Sequence, residues 1–181
     1  GWGDRVAMRG PYGEITYRRL LVMANRIAHV LIDDLGLISG NRVLLHSRNH
    51  AMMAACWLAI QKAGGIAIAT MPLLHARELR EIVDCAQISH VLCDEALAAE
   101  VRLTQPHCPT LRHIEYLHAT PLGAGLGARM HKKSDHFDNV DTAADDIAMI
   151  AFSSGSTGAP KGTMHFHRDV LAICDAFPQS I

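Results

Sequence analysis

The chain has 181 residues, 49% of them apolar, which is enough for one globular domain with a sizeable core. Its 17 basic and 18 acidic side chains leave a formal net charge of −1, so there is no electrostatic case for nucleic acid or an anionic membrane. The longest apolar run, Ala51 to Ile60, is too short to span a bilayer, and Gly1 to Pro11 carries Asp4, Arg5 and Arg9 without the apolar core of a signal peptide.

In chain order, Val6 to Met8 reads as a short strand and Tyr12 to Glu14 as a turn. Thr16 is a suitable N-cap for a helix running to about Leu35, with Leu20, Ala24, Ile27, Leu31 and Leu35 on one face and Gly36 as the left-handed stop. A strand is predicted over Arg42–His46. Asn49 then caps a buried helix over about His50–Ala63, ended by Gly64-Gly65, and Ile66–Thr70 is the next strand. Met52, Met53 and Trp57, at helical spacing, read as core packing.

Arg77–Ala86 is an amphipathic helix with Leu79, Ile82, Val83 and Ala86 inward and Arg77, Arg80 and Glu81 on its solvated side. His90–Cys93 reads as a strand, Glu95–Leu103 as a helix and Leu111–Leu117 as a further strand. Residues 104–146, with their prolines, glycines and run of aspartates, are expected to form a loop-rich connector. Ile147 to Phe152 is a buried strand, followed by a loop and a helix over Phe166–Ala176 with Val170, Leu171, Ile173 and Cys174 on an apolar face. Strands alternating with helices predict an α/β fold: a mostly parallel, doubly wound sheet with helices on both faces.

Cys56, Cys85, Cys93, Cys108 and Cys174 form no C-x-x-C pair, and several sit in apolar runs. They are expected to be reduced core residues of a cytoplasmic protein rather than a disulfide frame or a zinc site.

The chemistry concentrates in Ser153-Ser154-Gly155-Ser156-Thr157-Gly158-Ala159-Pro160-Lys161-Gly162-Thr163. Glycine reaches positive φ freely, so successive backbone N–H groups can turn toward one anion. The hydroxyls of Ser153, Ser154, Ser156 and Thr157 add donors without bulk, and Lys161 adds a mobile positive charge. Pro160 restrains the backbone just before that lysine. Such a loop suits a polyphosphate. It is not a Walker A loop: counted from Gly155, the second required glycine is replaced by Pro160, and Lys161 is followed by Gly162 rather than by Ser or Thr. The helix after the loop is expected to direct its positive dipole end toward it.

The run Ser153 to Gly162 resembles the phosphate-binding signature of the adenylate-forming superfamily of acyl-CoA synthetases, luciferases and peptide-synthetase adenylation domains, with Ser156 where threonine is common. Lys62-Ala63-Gly64-Gly65 through Pro72-Leu73 and the early Ile15-Thr16-Tyr17 unit resemble other segments of that superfamily. Asn41 to Leu45, Met52 to Trp57, Ala69 to Leu74 and Ala86 to His90 are similar to its aryl-CoA ligase branch, which acts on benzoate- and 2-aminobenzoate-type acids. The resemblance implies that the chain is part of an N-terminal domain, since the chain lacks an initial Met and the superfamily's adenine, ribose and terminal-lysine motifs lie downstream.

The implied reaction consumes ATP with Mg²⁺ to convert an aromatic carboxylate to its acyl adenylate, after which coenzyme A takes the acyl group. The resemblance assigns Ser153, Ser154, Gly155, Ser156, Thr157, Gly158, Lys161 and Gly162 to the triphosphate, with Thr157 and Lys161 as the catalytic pair and His165 as a candidate on the acyl side. Mg²⁺ would sit mostly on phosphate oxygens and water. No protein metal site is expected, because His165-x-His167 has no third ligand at suitable spacing and Asp145-Asp146 reads as polar strand entry. An aliphatic acyl-CoA synthetase, a carrier-loading adenylation domain and a non-catalytic nucleotide-binding fragment are the alternatives. The 181-residue chain alone is expected to be inactive.

Overall fold

The structure, a computed structural model, describes residues 1–10, 13–118, 125–153 and 160–177. The chain opens with an antiparallel ribbon, β1 (Val6–Gly10) and β2 (Gly13–Thr16). Gly13 and Glu14 therefore belong to a strand, not a turn, while Tyr12 lies outside the described residues. Thr16 caps α1 (Tyr17–His29): its Oγ1 accepts from the Arg19 N–H at 3.2 Å. The helical run ends at Asp34, within one residue of the expected Leu35. It widens at Val30–Asp34 into a π-helical turn, and Gly36 at φ 64° ends it. The Leu37 N–H reaches back to the Leu31 carbonyl at 2.9 Å, and the widened turn buries Val30, Leu31, Leu35 and Leu37 together.

Five strands form the parallel part of a six-stranded sheet: β3 (Arg42–His46), β4 (Ile66–Thr70), β5 (His90–Cys93), β6 (His113–Tyr116) and β7 (Ile147–Ser153). The order is β6-β5-β3-β4-β7-β8, where β8 (Lys161–Phe166) lies antiparallel on β7 at the edge. Between strands run α2 (Ala51–Lys62), α3 (Ala76–Ala86), α4 (Ala98–Thr104) and α5 (Gly125–Met130), and α6 (His167–Ala176) follows β8.

Side chains alternate across the strands and build two cores. Val43, Leu45, Ala67 and Leu92 join Ile27 and Leu31, Ala55 and Ile60 of α2, and Leu126 of α5 on one face. Leu44, Ile68, Val91 and Cys93 join Leu79, Ile82 and Val83 of α3 and Val101 of α4 on the other. The doubly wound arrangement is thus the expected one, with near-continuous apolar strands buried on both sides. Met52, Met53 and Trp57 pack against the first core, as expected. Of the cysteines, Cys56, Cys93 and Cys108 are buried but Cys85 and Cys174 are exposed, which corrects the reading of all five as core residues. All five are free thiols.

Other departures are local. His50, not Asn49, caps α2; its Nδ1 accepts from the Met53 N–H at 3.2 Å. A 3₁₀ turn over Glu95–Leu97 precedes α4. The stretch 104–146 holds β6 and also α5, where Leu126 and Met130 are buried despite two flanking glycines. The polar segment after α5 is strapped to the helices. Asn25 Nδ2 donates to the Asp135 carbonyl at 2.6 Å, and the Val140 N–H donates to the Lys62 carbonyl at 2.9 Å. Gly64, at φ 71°, is required there, because a Cβ would meet Val140 Cγ1 at 2.8 Å.

Candidate functional site

The hydroxyl-rich loop springs from the carboxyl end of β7 and returns as β8. Ser153 pairs with Lys161 as the last rung of the hairpin, followed inward by Phe152 with Gly162, Ala151 with Thr163, Ile150 with Met164 and Met149 with His165. In a parallel α/β sheet the carboxyl ends of the strands are where loops gather to form binding crevices. The carboxyl end of β4, Thr70, and the following Met71 border the same spot. With Phe152, Ser153 and Pro160 they line a cleft of about 280 Å³ that extends to α3.

Period-two alternation separates the residues of β8. Lys161, Thr163 and His165 share the face on which Met149 meets the first core. Gly162 and Met164 share the face of Ile150 and Phe152, which border the second core. His165 therefore lies on the Lys161 side of the sheet, but four residues along the strand, about 14 Å away. Gly162 has a packing reason to be glycine: a Cβ would meet Ile150 Cγ2 at 2.8 Å and the Phe152 ring at 3.1 Å. Lys161 is exposed, and among the described residues no carboxylate pairs with it. Ser154, Gly155, Ser156, Thr157 and Gly158 lie outside the described residues.

The helix falls within one residue of its expected place, at His167–Ala176, but the expectation that its positive end lies close to the loop is corrected. Six residues of strand intervene, so α6 starts at the far end of the hairpin, about 17 Å from the Lys161 rung, and its dipole does not reach the loop. The reason is pairing: Lys161 to Phe166 completes a ladder on β7 that an isolated stretch could not form. The apolar side of α6 is also not packed, for none of its residues is buried, and Leu171 and Ile173 are more than half exposed.

Among the described residues no group of three His, Cys, Asp or Glu could hold a metal ion. His165 and His167 fall on a strand and a helix respectively. Asp145 pairs with Arg168, and Asp146 Oδ2 accepts from the Ala143 N–H at 2.8 Å, so both carboxylates serve the chain itself.

One constellation beside the cleft escaped the sequence. His46, fully buried at the carboxyl end of β3, places Nδ1 3.0 Å from Thr70 Oγ1, while its Nε2 has no partner among the described residues. Burial holds this imidazole below its ordinary pKa, against the pull of Glu100 and Asp94. The ring is therefore a neutral strut that fixes the rotamer of Thr70 at the cleft wall. A histidine ending an apolar strand gave no signal of this, because only the neighbouring strand supplies its partner.

Comparison with known proteins fits this geometry. A family profile described as AMP-binding enzyme matches residues 1–180. The benzoate–CoA ligase of Thauera aromatica is 30% identical over 185 aligned positions, covering 100% of this chain and 34% of that protein. The anthranilate-CoA ligase AuaEII, solved with anthranoyl-AMP, superposes with a TM-score of 0.88 at 23% identity, over 96% of this chain and 33% of that one. ATP-bound MatB from Rhodopseudomonas palustris superposes at 0.81 with 28% identity, over 96% of this chain and 35% of that one. The chain thus spans about a third of the length of the proteins it matches. With the profile matched from residue 1 to 180, the chain belongs to the AMP-binding enzyme family.

Proposed function

We propose that this chain is the triphosphate-gripping part of an ATP-dependent, AMP-forming acid–CoA ligase that acts on an aromatic carboxylic acid of the benzoate or 2-aminobenzoate type. The observation that carries the reading is the hairpin: a hydroxyl- and glycine-rich loop, rooted on the Ser153–Lys161 rung at the carboxyl edge of a parallel sheet. Relatives named as benzoate–CoA and hydroxybenzoate–CoA ligases support the acid class, and an ATP-bound neighbour of the same fold supports the nucleotide.

In the first half-reaction a carboxylate oxygen attacks the α-phosphorus of ATP. The bond from that phosphorus to the bridging oxygen breaks, and pyrophosphate leaves with the electron pair. In the second, the thiolate of coenzyme A attacks the acyl carbon and AMP departs, giving the thioester. No side chain needs to form a covalent bond. The chain's task is to hold anions in line and to stabilise charge that grows on the leaving pyrophosphate.

Ser153, Ser154, Ser156 and Thr157 would donate hydroxyl hydrogens to the β- and γ-phosphates, and Gly155 and Gly158 would let backbone N–H groups approach. Lys161 at the root would answer the growing charge. Mg²⁺, when bound, neutralises phosphate charge, and its ligands would be chiefly phosphate oxygens and water. His165, on the Lys161 face, would lie toward the acyl group. No helix of the described residues is long and apolar enough to cross a membrane; a cytoplasmic location is part of the proposal.

The test is pyrophosphate exchange with the full-length protein, comparing benzoate, 2-aminobenzoate, amino acids and octanoate. Exchange driven by the benzoates is expected. Exchange with octanoate alone would remove the aromatic reading, and none with any acid would remove the ligase. The 181-residue chain by itself is expected to form no thioester.

A further inference from the structure

The opposite end of the sheet carries a second polar cavity. Strands β3, β5 and β6 begin side by side at Arg42, His90 and His113, where His90 pairs in register with both Val43 and His113. A cavity of about 330 Å³ opens there, with Arg42, Ser89, His90, Thr110, Arg112 and His113 in its wall and no aspartate or glutamate among its lining residues. It lies at the amino edge, a strand length from the loop.

Two arginines face it with different duties. Arg42 is occupied: its guanidinium donates to the carbonyls of Ala86 at 2.8 Å, Gln87 at 2.9 Å and Gly40 at 3.1 Å, answering the negative end of α3. His90 is also committed. Its Nε2 lies 3.0 Å from the Leu35 carbonyl, which can only accept, so that nitrogen carries the proton, and Ser89 Oγ sits 2.8 Å from Nδ1. The helix-end carbonyls that would repel an anion therefore already have donors.

Three groups are left over. Arg112 is exposed, and among the described residues no carboxylate pairs with it. The Thr110 hydroxyl is shielded from solvent and has no partner among the described residues. His113 stacks on His90 at 4.8 Å with the rings 19° apart and lines the same cavity. Burial depresses the pKa of His90, opposed by its hydrogen bond to the Leu35 carbonyl and aided by the neighbouring His113 and Arg112.

We propose that this cavity is a second anion site, distinct from the nucleotide loop, that takes a phosphate-sized oxyanion between Arg112, Thr110 and His113. A guanidinium, a hydroxyl and an imidazole around one cavity match the donors a tetrahedral oxyanion needs.

The experiment titrates inorganic phosphate into the chain at low salt and follows the imidazole resonances of His90 and His113 by NMR. Saturable shifts of both rings are expected. Arg112→Ala should weaken binding about tenfold or more, and the near-isosteric Thr110→Val should weaken it about threefold. Both variants should keep the wild-type far-UV circular dichroism, and Lys161→Ala should leave the titration unchanged. Absent shifts, equal shifts with chloride, unaltered binding by Arg112→Ala, or loss of binding in Lys161→Ala would each overturn the proposal. The last outcome would place the phosphate at the nucleotide loop, leaving that reading intact.

Discussion

The inner strands and the edge hairpin of one sheet follow opposite rules. β3, β4 and β5 lie between two helical layers, and Val43, Leu44, Leu45, Ile68 and Leu92 are at most 1% exposed. β8 pairs with β7 alone, its first four residues are exposed, and α6 behind it buries nothing among the described residues. Burial on both faces is what stabilises the domain. The candidate loop hangs from the less buried of these two regions.

The largest effect should come from the interior. Leu45→Ala should lower unfolding free energy by about 2–5 kcal/mol, whereas Leu171→Ala on α6 should change it by less than about 0.5 kcal/mol. Urea denaturation of the two variants checks this, and similar losses would erase the contrast. The reverse contrast should appear in catalysis. In the full-length protein, Lys161→Ala should slow single-turnover adenylation by about a hundredfold while leaving stability almost unchanged. A normal adenylation rate would detach the lysine from the chemistry.

Gly162→Ala probes the boundary between the two regions. The new methyl would press on Ile150 and Phe152, at a cost of about 1–3 kcal/mol, so this edge position should behave like a core position in the same denaturation assay. A neutral outcome would mean that the hairpin gives way rather than the core.

The smallest effect concerns pH. Burial lowers the pKa of His46, His50 and His90, all attached to the inner strands or to the start of α2. Each is depressed below its unfolded value near 6.5, so each binds its proton less readily when folded. Their contribution is complete above about pH 6.5 and is lost as pH falls below that value toward the lower folded ones. His50 gives the loss a local form, because protonating Nδ1 removes the acceptor of the Met53 N–H. Unfolding curves at neutral pH and near pH 5 should show the decline, and identical curves would rule out these rings as its source.

The same contrast governs what could be read in advance. Arg42–His46, Ile66–Thr70 and His90–Cys93 were legible to the residue, since a strand buried on both faces is a short apolar run with polar or glycine borders. β8 was not. Lys-Gly-Thr-Met-His-Phe has neither a continuous apolar run nor a buried face, and only the partner strand makes it a strand. α5 was hidden by Gly125 and Gly127, whose low helix propensity is overridden by burial of Leu126 and Met130. Of the candidate loop, Ser153, Lys161 and Gly162 stand in the hairpin, while residues 154–159 lie outside the described residues. The His46–Thr70 pair was not legible, because it joins residues of two strands, 24 positions apart.

The ladder between β7 and β8 also makes side-chain placement a matter of odd and even. Sliding β8 by a single residue against β7 would carry Lys161, Thr163 and His165 through the sheet and put Gly162 and Met164 in their stead. Insertions or deletions that shift the ladder by one step should therefore be far more damaging than those that shift it by two, whatever residues are added or lost.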